Sequence, residues 1–161
     1  MALSLDGDTG ISGIDGSATS PAIKGTQGTS GLYFDSTSSR FVSGGANIIE
    51  VNANGLACLG NVVSNAIALS GYDIDCRDGN YFTKTCNGNT TFTISNVPAS
   101  VAFTFALEIT HTSGTLTWPA SIKWPADTPP TLTSGRTHVF VFVTDDGGVR
   151  WRGAALVDYV N

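Results

Sequence analysis

Residues 138–152, HVFVFVTDDGGVRWR, decide the fold class of this chain. Valine and phenylalanine alternate over 139–143, and alternation of side chains between two faces is the period of a β-strand. The Asp-Asp-Gly-Gly segment at 145–148 predicts a turn, because glycine readily adopts the positive φ that hairpin turns need. Residues 149–152 then return as a second strand. The whole stretch predicts a β-hairpin.

The same period extends along the C-terminal half of the chain. Residues 101–110, VAFTFALEIT, place an apolar side chain at every second position, and residues 91–95, TFTIS, also alternate. Segment 139–143 is apolar on both faces, so we expect it to lie between two layers or between the core and a neighbouring subunit. We therefore predict an all-β chain whose head, residues 81–161, is an antiparallel β-sandwich.

The N-terminal part has a different composition. Residues 1–60 are rich in Gly, Ser, Thr and Asp, and their apolar residues come in short bursts at 32–34, 40–42 and 48–51. Each burst is too short for a stable helix, and the glycines between them mark turns. We predict an extended attachment arm with short strands. So few apolar residues favour several copies wrapping together over a monomeric core.

Residues 61–80 form the predicted connecting segment. The run NVVSNAIALS within it is too short for its periodicity to separate a helix from a strand. Its β-branched residues and flanking glycines favour a strand.

Composition narrows the classes of partner. The chain has 161 residues, 41% hydrophobic and 13% charged, and its net charge is −5. The acidic balance disfavours nucleic acid and anionic membranes as partners, and basic residues are scattered. No apolar run is long enough to span a bilayer, and the N-terminus lacks the features of a secretory signal. We expect folding in a cytoplasm and no membrane insertion.

Acidic clusters have simpler interpretations than catalysis or metal binding. Asp145 and Asp146 are adjacent, whereas the carboxylates of a glycosidase face each other across a cleft, so we assign them to the turn. Asp73 and Asp75 resemble part of a calcium loop. However, Arg77 stands where an oxygen ligand is needed. We predict no metal site and no cofactor.

Histidines and cysteines likewise suggest no chemistry. His111 and His138 are isolated from any nucleophile signature, and we expect them to be neutral or at the surface. Cys58, Cys76 and Cys86 lack zinc-ligand spacing, so we expect buried or partly buried thiols. A Cys76–Cys86 disulfide is the alternative, which a reducing cytoplasm disfavours. The chain is predicted not to be an enzyme.

All three tryptophans fall in the predicted head, at Trp118, Trp124 and Trp151. Their simpler role is to complete the core of the sandwich, with each indole N–H reaching a backbone carbonyl. The alternative is exposure at the surface, where they would contact a carbohydrate receptor by stacking on its sugar rings.

The predicted head resembles a C-terminal β domain found in tailed-bacteriophage virion proteins, often those of tail fibres. The segments that carry the resemblance are GNYFTK (79–84), NGNTTFTISNVP (87–98), IKWP (122–125), PPTLT (129–133) and FVTDDGGVRWRGA (142–154). The N-terminal segments LDG (5–7), GISGIDGS (10–17), PAI (21–23) and GLYF (31–34) look like those that open fibre and appendage proteins of cyanophages. The resemblance carries no catalytic motif. It implies a homotrimeric structural protein of the virion, exposed on the particle.

Three functions follow as hypotheses. The first is a short trimeric tail fibre or appendage, bound to other phage structural proteins through its arm. The second is a trimeric capsid decoration (cement) protein that clamps neighbouring capsomers of the major capsid protein. The third and least favoured is a glycan-degrading enzyme.

Two sets of residues are predicted to make the contacts of such a virion protein. For the trimer interface we select Phe140 and Phe142, because their strand is apolar on both faces. For attachment to the virion we select the apolar residues of the arm, namely Leu3, Leu5, Ile11 and Ile14.

Overall fold

Strands form nearly all the regular structure of this chain, so the predicted all-β class is confirmed. The computed structural model describes residues 4–6, 10–12, 17–20, 23–24, 29–34 and 37–160. Within that part of the chain, the helical structure is a single 3₁₀ turn at Pro125–Asp127. The chain divides into two units, Met1–Val63 and Ser64–Asn161.

The N-terminal unit is built on an antiparallel meander. Strands β1 and β2 pair with each other, and β3 to β7 form a five-stranded sheet in chain order. The strands are β1 (Ser4–Asp6), β2 (Gly10–Ser12), β3 (Ile23–Lys24), β4 (Gly31–Phe34), β5 (Ser38–Ser43), β6 (Ala46–Asn52) and β7 (Gly55–Cys58). The three apolar bursts fall in β4, β5 and β6, so the short strands predicted for this region are present, and they join into a sheet.

The β5–β6 connection shows why short glycine-rich stretches suffice for this sheet. Gly44 and Gly45 adopt φ of 60° and 82°. Positive φ at both residues of a two-residue loop matches the twist of the strands that it joins. Beyond this turn the pairing shifts by one residue between Phe41 and Val42, and Ile48 is the extra residue of the resulting bulge.

The C-terminal unit contains ten strands. They are β8 (Ile67–Ala68), β9 (Asp73–Asp75), β10 (Tyr81–Asn87), β11 (Thr90–Thr91), β12 (Thr93–Ser95), β13 (Phe103–Ser113), β14 (Leu116–Thr117), β15 (Ile122–Lys123), β16 (Arg136–Thr144) and β17 (Trp151–Tyr159). Six form one sheet in the order β15-β17-β16-β13-β10-β8. The other four form two ladders, β11–β14 and β12–β9.

Most pairings in this unit are parallel, which corrects the predicted antiparallel sandwich. β8, β10 and β13 pair in parallel, as do β9 with β12 and β11 with β14. The chain therefore winds into successive turns, which we call coils. Each coil pairs in parallel with the previous one. The antiparallel part of the main sheet is β13–β16–β17. It includes the predicted hairpin, whose turn occupies 145–150.

Successive coils approach each other closely at one corner. A Cβ on Gly114 would lie 2.1 Å from the backbone carbon of Gly88 on the neighbouring coil, and Gly114 has φ of 88°. Any other residue there would clash with backbone and adopt an unfavourable conformation. The glycine is thus required for the coils to stack.

The core of this unit lies between the six-stranded sheet and the two ladders. Its buried apolar members are Ile74, Cys76, Phe82, Cys86, Phe92, Phe105, Leu107, Ile109, Ile122, Trp124, Phe140, Phe142 and Trp151. Ile74 and Cys76 come from the predicted connecting segment 61–80. From Ser64 onward that segment belongs to the C-terminal unit, because its apolar residues complete the core.

Candidate interaction surfaces

The six-stranded sheet buries one face and leaves the other open. On β16 the phenylalanines point into the core, and the valines between them point outward. Val141 is 36% exposed and pairs with Ala154 on β17, while Val139 pairs with Leu156. We name this surface the valine face; its members are Val139, Val141, Val143, Ala154 and Leu156. It is an apolar strip over two neighbouring strands.

Charged side chains lie at one end of the valine face. Asp145 contacts Arg150 at 3.2 Å and Arg152 at 3.4 Å. The hydrogen bond from Arg150 lowers the pKa of the Asp145 carboxyl, so the group is ionised at neutral pH. All three side chains are largely exposed, so these ion pairs contribute little to stability.

The valine face gives way to polar side chains toward β13 and β10. Glu108 pairs with Val139 across the sheet, and the Tyr81 hydroxyl donates to Glu108 Oε2 at 2.8 Å. This hydrogen bond raises the pKa of the Tyr81 phenol. Glu108 also lines a surface groove of about 280 Å³ together with Thr137, Val139, Tyr159 and Val160. The open sheet face thus has an apolar half and a polar half.

The prediction that Phe140 and Phe142 form a trimer interface is wrong. Both side chains have no exposed surface in a single chain. Phe142 packs against Phe105 at a ring distance of 5.0 Å, and Phe140 lies 4.8 Å from Trp118. Both phenylalanines are therefore part of the core of a single chain. The valines point to the opposite side of the same strand. They are the residues of this strand that another subunit could contact.

The tryptophans divide between core and surface. Trp124 and Trp151 are buried, so the core interpretation holds for them and contact with a receptor is excluded. Trp118 is partly exposed and borders two surface grooves of about 330 and 380 Å³. One face of its ring stacks on Phe92 at 5.1 Å. Trp118 is the predicted receptor-contact residue that remains accessible.

The acidic pairs serve local structure. Asp146 accepts hydrogen bonds from the Thr144 hydroxyl and the Arg150 backbone, which closes the β16–β17 turn. Asp73 accepts from the hydroxyls of Thr93 and Ser95 across the β9–β12 ladder. In the described residues no group of three or more potential metal-ligating side chains occurs.

The two histidines are buried, so of the two expected alternatives the surface position is wrong. His138 Nε2 donates to the Thr133 carbonyl at 3.1 Å, since its Nδ1 accepts from the backbone N–H of Asp158. The His111 Nε2 donates to the Gly114 carbonyl, and its buried Nδ1 has no hydrogen-bond partner. Their rings lie 6.1 Å apart. Both histidines connect loops to the ends of strands through hydrogen bonds.

All three cysteines are free thiols. Cys76 and Cys86 are buried as expected, and burial raises the pKa of the Cys76 thiol to about 11. Cys58, at the end of the meander, is exposed, so the expectation of a buried or partly buried thiol is wrong for this residue.

The predicted attachment residues are only partly described. Leu3 and Ile14 lie outside the described residues. Leu5 and Ile11 are paired positions of the β1–β2 ladder. Their role in attachment stays a prediction.

Comparison with protein-family models, curated proteins and solved structures gives no match for this chain. In the part of the chain that the structure describes, no helix has the length and apolarity needed to cross a membrane.

Proposed function

We propose that this chain is a structural protein of a bacteriophage particle, most simply a short homotrimeric tail fibre or appendage exposed on the virion. The observation that carries the proposal is the valine face, an open apolar strip on a unit that already has a complete core. The sequence resemblance to phage tail-fibre domains supports the same function. In this proposal the role is structural, and Trp118 is the candidate contact with a host-surface glycan.

The valine face fits another copy of the chain better than a charged partner. Its five members are uncharged, and the ion pairs of Asp145 lie at its end. Apolar strips on soluble proteins commonly mark interaction sites, and most oligomers are built from identical subunits. Three strips around an axis would bury one another and leave the charged groups in solvent. Attachment to other virion proteins is assigned to the N-terminal residues, including Leu5 and Ile11.

A matched pair of variants tests the trimer. Light scattering of the purified protein should give a mass of about 50 kDa, three chains of 16.7 kDa. Val141→Asp should lower that mass, because it places a carboxylate in the buried strip. Val149→Asp, at a 79% exposed position in the turn, should leave it unchanged. A monomeric wild-type protein would contradict the trimer.

The place on the virion is tested with purified particles of the encoding phage. Quantitative peptide mass spectrometry and imaging of labelled particles should find on the order of tens of copies, located at the tail. Hundreds of copies over the capsid would favour the decoration protein instead. Absence from purified particles would overturn the proposed function.

A further inference from the structure

The meander of the N-terminal unit has one apolar face that is open over all five strands. Register places Ile23, Leu32, Phe41, Ile49 and Cys58 in one row across β3 to β7. A second row runs through Ser39 and contributes three apolar residues, Phe34, Val51 and Leu56. We name these eight residues the meander face. Phe41 is 54% exposed, Val51 48% and Leu56 67%.

The opposite face of the same sheet carries its charged side chains, together with the buried Ser38 and Val42. Arg40 Nε lies 2.9 Å from Glu50 Oε2 across β5 and β6, and both side chains are mostly buried. The Asn52 amide donates to the other Glu50 oxygen at 2.7 Å. The sheet therefore keeps its charged side chains off the meander face.

Within the described residues of this unit, no layer covers the apolar face. Val42 is the fully buried apolar residue of the unit in that part of the chain, and it does not belong to the meander face. A sheet of three or more strands needs a packed hydrophobic face for independent stability. Covering the meander face would therefore add to the free energy that stabilises this sheet.

We propose that the meander face is a self-association surface, covered by the meander faces of further copies of this chain. This inference rests on the proposed function only for the expectation that the protein is a homo-oligomer. It names a second interface, in the N-terminal unit, which the valine face does not include.

The uncharged side chains of the meander face favour a second copy of this chain as the surface that covers it. All eight members are uncharged, so the covering surface must itself be apolar and uncharged, and the meander face meets that requirement. Five strands about 4.8 Å apart and up to about 20 Å long give a face on the order of 400 Å². Two such faces bury roughly 800 Å², less than the about 1,200 Å² of a standard specific interface, so we expect a weak association that dilution reverses.

Cys58 provides a probe that needs no substitution. It lies within the meander face and is exposed in the single chain, whereas Cys76 and Cys86 are buried. In the purified protein at micromolar concentration, Cys58 should react with maleimide at least about tenfold more slowly than after dilution to nanomolar concentration, because dilution dissociates the copies. Fast labelling at all concentrations would overturn the proposal. Slow labelling that persists on dilution would show that the chain covers its own face, which also overturns it.

A matched pair of valine variants tests the surface itself. Val51→Asp should abolish the protection of Cys58 at micromolar concentration and weaken the oligomer. Val62→Asp makes the same change at a more exposed position, 75%, outside the sheet, and should preserve protection. All three tryptophans lie in the C-terminal unit, so unchanged tryptophan fluorescence verifies that this unit stays folded. Equal protection in the two variants would contradict the proposal.

The two proposals fail differently. If the protein is absent from virions but Cys58 is protected by self-association, only the proposed function is wrong. If the protein is present in virions but Cys58 of the purified protein labels rapidly, only the second interface is wrong.

Discussion

The two units of this chain solve the same problem, the burial of apolar strand faces, in opposite ways. The C-terminal unit coils back on itself and encloses thirteen apolar residues between a sheet and two ladders. The N-terminal unit has a five-stranded meander, and most apolar side chains of this sheet lie on an open face. The difference lies in connectivity. Parallel coils return the chain over its own sheet, whereas short hairpins only lengthen a sheet sideways.

This contrast predicts where stability resides. Folding of the C-terminal unit is encoded within one chain, so core truncations there should lower its free energy of unfolding directly. If the meander face is a self-association surface as proposed, changes on it should alter association.

The largest effect is expected for Trp151→Ala. Trp151 is 1% exposed and packs edge-on against Phe105 at 5.2 Å. Truncation should lower the free energy of unfolding of the C-terminal unit by about 3–5 kcal/mol, because it opens a large cavity. Urea titration followed by circular dichroism measures the change. Val149→Ala, two residues away and exposed, serves as the control and should shift stability by less than about 0.5 kcal/mol. A near-neutral Trp151→Ala would break the contrast between the units.

A smaller loss is expected when a methyl group is added to the same core. A Cβ on Gly153 would lie 2.9 Å from Trp124 Cζ3 and 3.1 Å from Ile122 Cγ2. Gly153→Ala should therefore cost about 1–3 kcal/mol through overpacking. A Cβ on Gly71 would meet nothing within 4 Å, so Gly71→Ala should be neutral or slightly stabilising. Equal unfolding midpoints for the two variants would show that the core around Trp124 is looser than the structure indicates.

Alternation predicted the strands but not their partners. The periods at 101–110 and 139–143 correspond to β13 and β16, and the Asp-Asp-Gly-Gly segment forms the turn as expected. Parallel and antiparallel strands share the same alternation, however, so the coils were missed. Strands that pair in parallel are separated in the sequence by a crossover connection. No local sequence pattern indicates that they pair.

Local pattern also failed to choose between the two faces of β16. Both phenylalanines and valines are apolar, and the interface was assigned to Phe140 and Phe142. The larger rings fill the thicker space between sheet and ladders, which leaves the valines outside. In the N-terminal unit the bursts were identified, but their common face depends on cross-strand register. Strands of two to seven residues are too short for their sequences to predict that register.

The smallest effect is expected at the surface ladder β9–β12. Asp75 accepts hydrogen bonds from the Arg77 guanidinium at 2.7 Å and the Asn96 amide at 2.8 Å. The Arg77 hydrogen bond is the main reason that the pKa of Asp75 falls from 3.8 to about 2. A carboxyl whose pKa is lower in the folded state stabilises the fold above its unfolded pKa. That contribution is lost as the pH falls from about 4 to about 2.

Asp75→Asn should therefore be slightly less stable than wild type at pH 6, and the two unfolding midpoints should converge toward pH 2. Urea midpoints measured at intervals between pH 2 and 6 test this. Arg77→Gln removes the same ion pair from the other side, so combining it with Asp75→Asn should add little to the loss. A constant difference between wild type and Asp75→Asn across this range would mean that Asp75 acts only through its neutral hydrogen bonds. The charge of Asp75 would then contribute nothing to the stability of the ladder.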